Sequence, residues 1–213
     1  MASKLGVAQF SLEGQVAVIT GGTGTLGSCM AQGLAAAGAT VVVLGRRAEA
    51  GAKVVRAITE AGGKAQFLAC DVLQEESIRA VNKTVMEEHE KIDILINCAG
   101  GNVGAATIGP SDSFFKMPST AMQKVFDLNI IGTVLPSQIF GESMQKAGSG
   151  NIINISSMTA QAAVTRVCGY SAAKAAVDNF TKWLAVELAT KFVLSFNIHA
   201  STGESAICLV FCW

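Results

Sequence analysis

The sequence predicts an α/β fold in which a doubly wound parallel sheet is flanked by helices. Short apolar runs rich in Val and Ile alternate with longer segments of helical periodicity, as they do in successive βαβ units. The chain has 213 residues, of which 50% are hydrophobic and 15% charged. This length and composition fit one sizeable core, so we expect a single domain over residues 1–213.

Five strands are predicted from runs that are short and almost unbroken in apolar residues, as strands covered on both faces must be. These runs are Gln15–Thr20, Thr40–Leu44, Lys64–Ala69, Ile92–Ile96 and Asn151–Ile155. Helical patterns lie near Leu26–Ala37, Ala48–Ala61, Glu75–Glu88, Thr120–Lys146 and Tyr170–Lys191. Right-handed crossovers bring the carboxyl ends of the strands to one edge, where we expect the ligand.

The last predicted helix is apolar around most of its circumference. We expect one face to pack on the sheet and another to pack on a second subunit. This pattern predicts a homodimer or homotetramer. The alternative is a helix that is buried within the monomer.

Composition excludes several classes of function. The chain carries 16 basic and 16 acidic residues, so no basic field marks a nucleic-acid-binding protein. The apolar runs are too short to span a membrane, and Met1–Gln9 lacks the layout of a secretion signal. The six cysteines are scattered, and with His89 and His199 as the two histidines they suggest no metal site. We therefore expect a cytoplasmic protein whose partner is a small molecule.

A glycine-rich loop follows the first predicted strand directly and opens the first helix. Gly22, Gly24 and Gly27 satisfy the spacing G-x-G-x-x-G. Glycines permit a tight turn and a close backbone approach, while the helix presents its positive end to a pyrophosphate. The loop predicts dinucleotide binding, with a purely structural turn as the alternative. The predicted contacts are Gly21, Thr23, Gly24, Thr25, Leu26 and Gly27.

The second predicted strand leads into Arg46 and Arg47. A protein selective for NAD usually places an acidic residue here to hold the ribose 2′-hydroxyl. Arginine can instead pair with a 2′-phosphate through its charged fork. The residues therefore favour NADP(H) over NAD(H), with a solvated surface pair as the alternative.

Three polar side chains suggest proton transfer at the same edge of the sheet. Tyr170 precedes Lys174 by one helical turn, which places both side chains on one face. A nearby ammonium favours phenolate, so we expect a lowered pKa for Tyr170. Ser157 follows the fifth strand, where a hydroxyl can bind a carbonyl oxygen. Each signal is weak alone, because such serines often cap backbone groups and the Tyr-Lys spacing is common.

In this order, the motifs resemble those of the short-chain dehydrogenase/reductase family, from Leu12 to about Lys191. Asp71-Val72 resembles the adenine contact of the family, Asn97-Cys98-Ala99-Gly100 its Asn-Asn-Ala-Gly element and Asn129 its helix asparagine. The resemblance implies a Rossmann-type fold that binds NADP(H) or NAD(H). It also implies hydride transfer between that cofactor and a ketone or secondary alcohol.

The resemblance further implies a role for each member of the catalytic set. Tyr170 is the general acid/base, and Lys174 binds the nicotinamide ribose and lowers the tyrosine pKa. Ser157 orients the carbonyl group, and Asn129 holds a relay water. The alternative role for Asp71 is to cap a turn, and the alternative for Asn129 is a buried amide of the core.

Three further segments resemble the D-mannonate oxidoreductase, or fructuronate reductase, branch of the family. They are Gly100-Gly101-Asn102, Phe114-Phe115-Lys116 and Ile155–Arg166. The resemblance suggests a keto sugar acid such as fructuronate or mannonate as substrate. Lys116 or Arg166 could hold its carboxylate, with a solvated cation as the alternative.

Beyond Lys191 the resemblance is expected to stop, leaving an atypical tail over residues 192–213. The family's Pro-Gly turn has no counterpart there, so we expect its C-terminal strands to be missing or replaced. Substitute strands are possible, because Phe196, Ile198 and Ala200 alternate with polar residues and Ile207–Phe211 is apolar. The alternative function is that of a truncated, catalytically weak dinucleotide-binding protein.

Overall fold

In the computed structural model, which describes residues 10–191, 193–200 and 207–210, seven strands form one sheet. Their spatial order is β3-β2-β1-β4-β5-β6-β7. Strands β1 to β6 run parallel, and β7 pairs antiparallel with β6. The strands are β1 Val16–Thr20, β2 Thr40–Gly45, β3 Lys64–Ala69, β4 Ile94–Asn97, β5 Gly150–Ser157, β6 Val193–Ala200 and β7 Ile207–Val210.

Helices cover both faces of this sheet and create two hydrophobic cores. Helices α1 and α2 pack on one face, against a core that includes Ile19 and Val43. Helices α3, α5 and α6 pack on the other face, around Phe140 and Ile152. The bounds are α1 Thr25–Ala36, α2 Ala48–Glu60, α3 Glu75–His89, α4 Ser119–Phe126, α5 Gly132–Ala147 and α6 Cys168–Leu188.

The five predicted strands are all present, and the fold class is confirmed. Strand β5 continues two residues beyond the predicted end at Ile155, because Ser156 and Ser157 pair with His199 and Ala200 of β6. This extension carries the serines to the carboxyl edge of the sheet.

The predicted helix Thr120–Lys146 differs from the structure in its middle. A π-helical turn over Asp127–Ile131 separates α4 from α5 and contains the buried Asn129. Such turns insert one extra residue into a helix and recur at functional sites. Helical periodicity does not reveal this insertion in the sequence.

The tail after Lys191 forms strands β6 and β7. These strands stand where we expected the C-terminal strands of the family to be missing or replaced. The alternation at Phe196, Ile198 and Ala200 predicts β6, which lies parallel to β5, and the apolar run from Ile207 predicts β7. The expectations for Met1–Gln9, Phe211 and Cys212 lie outside the described residues.

In the described part of the chain, no helix combines the length and apolar character needed to cross a membrane. The cytoplasmic location and the single-domain organisation stay predictions.

Candidate active site

A cleft of about 690 Å³ lies at the carboxyl ends of β1, β2 and β4, where the doubly wound topology places ligands. All of the predicted cofactor contacts line it except Asn97, Tyr170 and Lys174. The cleft is lined by Gly21, Thr23, Gly24, Thr25, Leu26, Gly27, Leu44, Gly45, Arg46, Arg47, Cys70, Asp71, Val72, Leu73, Cys98, Ala99, Gly100 and Leu128.

Two glycines make the loop after β1 possible. Gly21 has a φ of 63°, and a Cβ there would lie 2.8 Å from the Ala99 backbone. A Cβ on Gly27 would collide with the Gly21 carbonyl oxygen. Because no larger residue fits at either position, the loop backbone can lie flat across the floor of the cleft.

Helix α1 points its amino-terminal end into the cleft. The cap residue is Gly24, and α1, which is described in full, has no acidic residue in its first turn and no side-chain cap. Amide groups there remain accessible, and the helix dipole adds positive potential. The arrangement suits an anionic group such as a pyrophosphate.

Thr20, at the end of β1, joins this loop to β4. Its buried hydroxyl accepts hydrogen bonds from the amides of Cys98, at 3.1 Å, and Ala99, at 3.2 Å. Sequence analysis did not select Thr20 as a site residue. Its position at the last residue of a buried strand, beside the glycine loop, is a signal that could have identified it.

The adenosine end of the predicted site has polar residues on two sides. Arg46 and Arg47 are exposed and line the cleft where β2 ends. The Asp71 carboxylate accepts a 3.0 Å hydrogen bond from the Leu73 amide, which forms the turn cap weighed as its alternative role. One oxygen of Asp71 is therefore engaged in the turn, and Val72 beside it is buried.

Asn97 has a different place from the one predicted. Its amide is buried at the end of β4, where it donates to Asn154 at 2.8 Å and to Ser137 at 2.9 Å. The side chain therefore joins strands β4 and β5 to α5 instead of lining the cleft. We interpret Asn97 as a residue that positions Ala99 and Gly100.

Tyr170, Lys174 and Ser157 come together beside Gly100, at one end of the cleft. The Lys174 ammonium lies 5.6 Å from the centre of the Tyr170 ring and donates a 2.7 Å hydrogen bond to the Ile155 carbonyl. The Ser157 hydroxyl accepts a 3.3 Å hydrogen bond from the Thr159 amide, and its closeness to the Tyr170 phenol lowers the pKa of that group. A Cβ on Gly100 would lie 3.2 Å from the Lys174 ammonium, so the end of the cleft adjoins Lys174.

Asn129 binds the backbone next to this group. Its side chain accepts a 3.0 Å hydrogen bond from the Gly101 amide and donates at 2.8 Å to the carbonyls of Gly101 and Val125. The side chain thus fixes the segment after β4, as a core amide does. The predicted relay water stays a prediction.

The direction of the Tyr170 pKa corrects our expectation. Burial raises the pKa of Tyr170, and the hydrogen bond from Ser157 offsets this only in part. The expected lowering by Lys174 is wrong, because the ammonium is held by the Ile155 carbonyl and lies over the ring. Tyr170 is therefore a protonated phenol at neutral pH.

Burial also changes the ionisation of the neighbours of Tyr170. Lys174 is only 4% exposed, and burial lowers its pKa to about 8. Burial raises the pKa of the Cys98 thiol to about 11. At neutral pH the group thus holds one ammonium, a neutral phenol and a neutral thiol.

The two candidate carboxylate-binding residues lie on loops. Arg166 has a φ of 75° and exchanges two hydrogen bonds with Ile108, from its Nε to the carbonyl at 2.7 Å and from the Ile108 amide to its own carbonyl at 2.9 Å. These bonds join the loop before α6 to the loop after β4. Lys116 is exposed. A carboxylate-binding role for either residue stays a prediction.

A family model described as short chain dehydrogenase matches residues 15–203. We expected the resemblance to end near Lys191, and that expectation is wrong, because the match includes β6. The uncharacterized oxidoreductase UxuB of Bacillus subtilis is 44% identical over 187 residues, which are 84% of this chain and 67% of that protein. The chain spans about two thirds of the length of such curated relatives.

Solved structures share the fold. One, from Haemophilus influenza, is described as a candidate D-mannonate oxidoreductase with bound NAD. It has 37% identity and a TM-score of 0.85, and the match covers 92% of this chain and 75% of that one. A metagenomic short-chain oxidoreductase in complex with NADP has 30% identity and a TM-score of 0.81, over 90% of this chain and 84% of that one.

The buried ammonium of Lys174 predicts a specific dependence of stability on pH. The folded state releases this proton near pH 8, whereas the ordinary lysine pKa is 10.5. Between these values the unfolded chain binds more protons, so stability gains from Lys174 as pH rises. The unfolding free energy of wild type, measured relative to that of Lys174→Met, should rise by roughly 1–3 kcal/mol between pH 7 and pH 10. Urea denaturation at both pH values measures this gain.

The matched control is Lys182→Met, which removes an exposed lysine from the same helix. Its stability difference from wild type should be the same at both pH values. A constant difference for Lys174→Met as well would show that Lys174 has no depressed pKa.

Proposed function

This chain belongs to the short-chain dehydrogenase/reductase family, and we propose that it transfers a hydride between a nicotinamide dinucleotide and a ketone or secondary alcohol. The observation that carries this proposal is the approach of Gly100, at the end of the cleft, to Lys174, whose ammonium lies over the Tyr170 ring. The cleft can hold an extended anionic cofactor, and the polar group provides protons where the cleft ends.

The residues present fit a dinucleotide. Gly21 and Gly27 permit the close backbone packing of the loop that lines the cleft, and the start of α1, which has no side-chain cap, can receive the pyrophosphate. Asp71 and Val72 would contact the adenine, and Ala99 and Gly100 would lie along the ribose and nicotinamide. When bound, the cofactor supplies or accepts the hydride.

For the cofactor we propose NADP(H) in preference to NAD(H). Arg46 and Arg47 line the cleft directly after β2, where a 2′-phosphate would lie. A guanidinium can bind such a phosphate through two parallel hydrogen bonds. The solved relatives include one with NAD and one with NADP, so family membership alone does not select the cofactor.

The side chains at the end of the cleft have separable roles in the proposed reaction. Tyr170, protonated at neutral pH because burial raises its pKa, donates its proton to the substrate oxygen during carbonyl reduction. The Ser157 hydroxyl donates a hydrogen bond to the same oxygen and orients it. Lys174 holds its ammonium over the Tyr170 ring and would contact the nicotinamide ribose. Asn129 holds the Gly101 backbone beside them.

For the substrate we propose a keto sugar acid such as fructuronate, with mannonate as its reduced form. The support is the likeness to the candidate D-mannonate oxidoreductase from Haemophilus influenza. Arg166 is a reasonable carboxylate ligand, because its backbone is fixed by Ile108 and its guanidinium is exposed.

We also propose that the chain forms a homodimer or homotetramer through α6. Trp183 is 58% exposed and stacks on Phe180 with ring centres 6.3 Å apart, and Val186 is 78% exposed. The monomer therefore leaves this face of α6 uncovered, contrary to the alternative of a helix buried within the monomer. Exposed aromatic and aliphatic groups of this kind favour a self-complementary interface.

Replacing Tyr170 by Phe should remove the proton donor and leave the cleft unchanged. We expect kcat for fructuronate reduction to fall by about 10²–10⁴-fold, while the NADPH dissociation constant stays within about twofold of wild type. Cofactor fluorescence gives the affinity, and NADPH oxidation gives the rate. Unchanged turnover in Tyr170→Phe would exclude Tyr170 as the acid. If the wild-type protein itself binds NADPH but shows no turnover, that result would support the weakly catalytic alternative.

Replacing Arg46 by Ala should weaken NADPH binding by about 10–100-fold, because a charge-assisted hydrogen bond to the 2′-phosphate is lost. NADH, which lacks that phosphate, should bind as before. Fluorescence titration with each cofactor measures both constants. The control is Arg56→Ala, which removes an exposed arginine of α2 outside the cleft lining. Equal losses for both cofactors would refute the 2′-phosphate contact.

Replacing Trp183 by Glu should place a charge in the proposed interface and shift the protein to a monomer. Size-exclusion chromatography with light scattering measures the mass. Phe115→Glu is the control, because Phe115 is 93% exposed and belongs to the 3₁₀ turn Phe114–Lys116, outside α6. If wild type is monomeric, or if Trp183→Glu keeps the oligomer, this interface is not used.

A further inference from the structure

A row of buried polar side chains crosses the sheet behind the candidate active site. Asn97, Asn154 and Asn197 are register partners on β4, β5 and β6. Asn154 accepts from Asn97 at 2.8 Å and donates to the Thr181 hydroxyl at 2.8 Å. Thr181 then donates to Asn197 at 2.6 Å. The row therefore connects β4 to β6 and to helix α6.

This row ends at Asp178 of α6. One carboxylate oxygen accepts a 3.2 Å hydrogen bond from Asn197, and the other lies 2.8 Å from His199 Nε2. The Asp178 side chain is 13% exposed and that of His199 is 5% exposed. His199 Nε2 must carry a hydrogen to donate to the carboxylate. The Asp178 carboxylate therefore lies in the interior with two side-chain partners, Asn197 and His199.

Lys174 lies one helical turn before Asp178, so both residues occupy the same face of α6. The two side chains have different partners, because the ammonium donates to the Ile155 carbonyl. They nevertheless share a layer from which water is largely excluded, where opposite charges attract over longer distances than in water. Burial lowers the pKa of Lys174, and Cys98 and the Asp178 carboxylate each oppose that lowering.

We propose that Asp178 is a positioning residue for Lys174, and that Asn197 and His199 of β6 hold its carboxylate on the buried face of α6 that carries the Lys174 ammonium. The assignment of Lys174 to a hydride-transfer site rests on the proposed function. The electrostatic coupling between the two side chains does not. The last parallel strand thus acts on the active site through a charge that it orients.

Other groups do not replace this charge at neutral pH. Cys98 and Tyr170 face Lys174, but burial raises the pKa of each, so both are neutral there. On the other side, Gln161 and Asn197 are the neutral groups that contact the His199 and Asp178 pair. Asp178 is therefore the anion that acts on Lys174 among the described groups that influence it.

The test is the ionisation of Lys174 in cofactor-free protein, followed by NMR of the side-chain nitrogen and assigned with Lys174→Arg. Asp178→Asn removes the charge and keeps the shape. We expect the acid ionisation constant of Lys174 to rise about tenfold, so that deprotonation moves to lower pH. The control is Glu187→Gln, which removes a negative charge from the same helix at an exposed residue paired with Lys191. It should leave the Lys174 titration unchanged.

If Asp178→Asn folds and Lys174 titrates as in wild type, the proposal is wrong, even where thermal stability is lost. A second variant covers failure to fold. Asn197→Ser removes the amide that donates to the Asp178 carboxylate and keeps the carboxylate itself. Deprotonation of Lys174 should again move to lower pH, by a smaller factor than in Asp178→Asn. A Lys174 titration unchanged in this variant would also overturn the proposal.

The pH dependence of turnover separates this proposal from the proposed function. If the chain reduces fructuronate, the loss of activity at high pH should begin at lower pH in Asp178→Asn than in wild type or Glu187→Gln. If the chain shows no turnover while the NMR titrations shift as expected, the proposed function fails and the coupling stands. If neither variant shifts the Lys174 titration, the oxidoreductase proposal stays intact and Asp178 has no part in it.

Discussion

The close approach of the Gly21 backbone to that of Ala99 is the constraint on which both halves of the candidate site depend. It brings the ends of β1 and β4 within van der Waals contact, and the Thr20 hydroxyl fixes that contact through two amides. On one side of the contact the glycine loop can lie flat beneath the cleft. On the other side the chain continues into Gly100, which touches Lys174 and Asn129. A wider spacing would separate the glycine-loop end of the cleft from the end at Tyr170 and Lys174.

The end of the cleft at Lys174 is built at a cost in stability. Lys174 is an ammonium with little access to water, and burial opposes its charge. Around it, the Ile155 carbonyl and the Asn129 amide satisfy polar groups that would otherwise be orphaned. Sites that carry charge into the interior commonly reduce stability in this way while they gain function. The many buried aliphatic groups of the two cores offset that cost.

The fold could be predicted from sequence because its signals are local. Each strand is an apolar run and each crossover helix has its own periodicity, so β1 to β5 follow from short windows of sequence. The glycine loop was recognisable for the same reason. The direction of the Tyr170 pKa was not, because burial is set by the packing of α6 and the Ser157 segment. Likewise the π-helical turn at Asn129 leaves no periodic mark, and the contact of Asp178 with His199 needs a pairing between distant segments.

The register of β6 shows how one polar residue can carry structural information that apolar patterning lacks. Along this strand Val193, Ser195, Asn197 and His199 are buried, and Leu194 between them is exposed. A shift of one residue would exchange the two faces and remove Asn197 from both Thr181 and Asp178. Because buried amides require partners, the asparagine row penalises such a shift more strongly than the aliphatic contacts alone. The β6 residues that fix the register are therefore the same ones that hold the Asp178 carboxylate of α6.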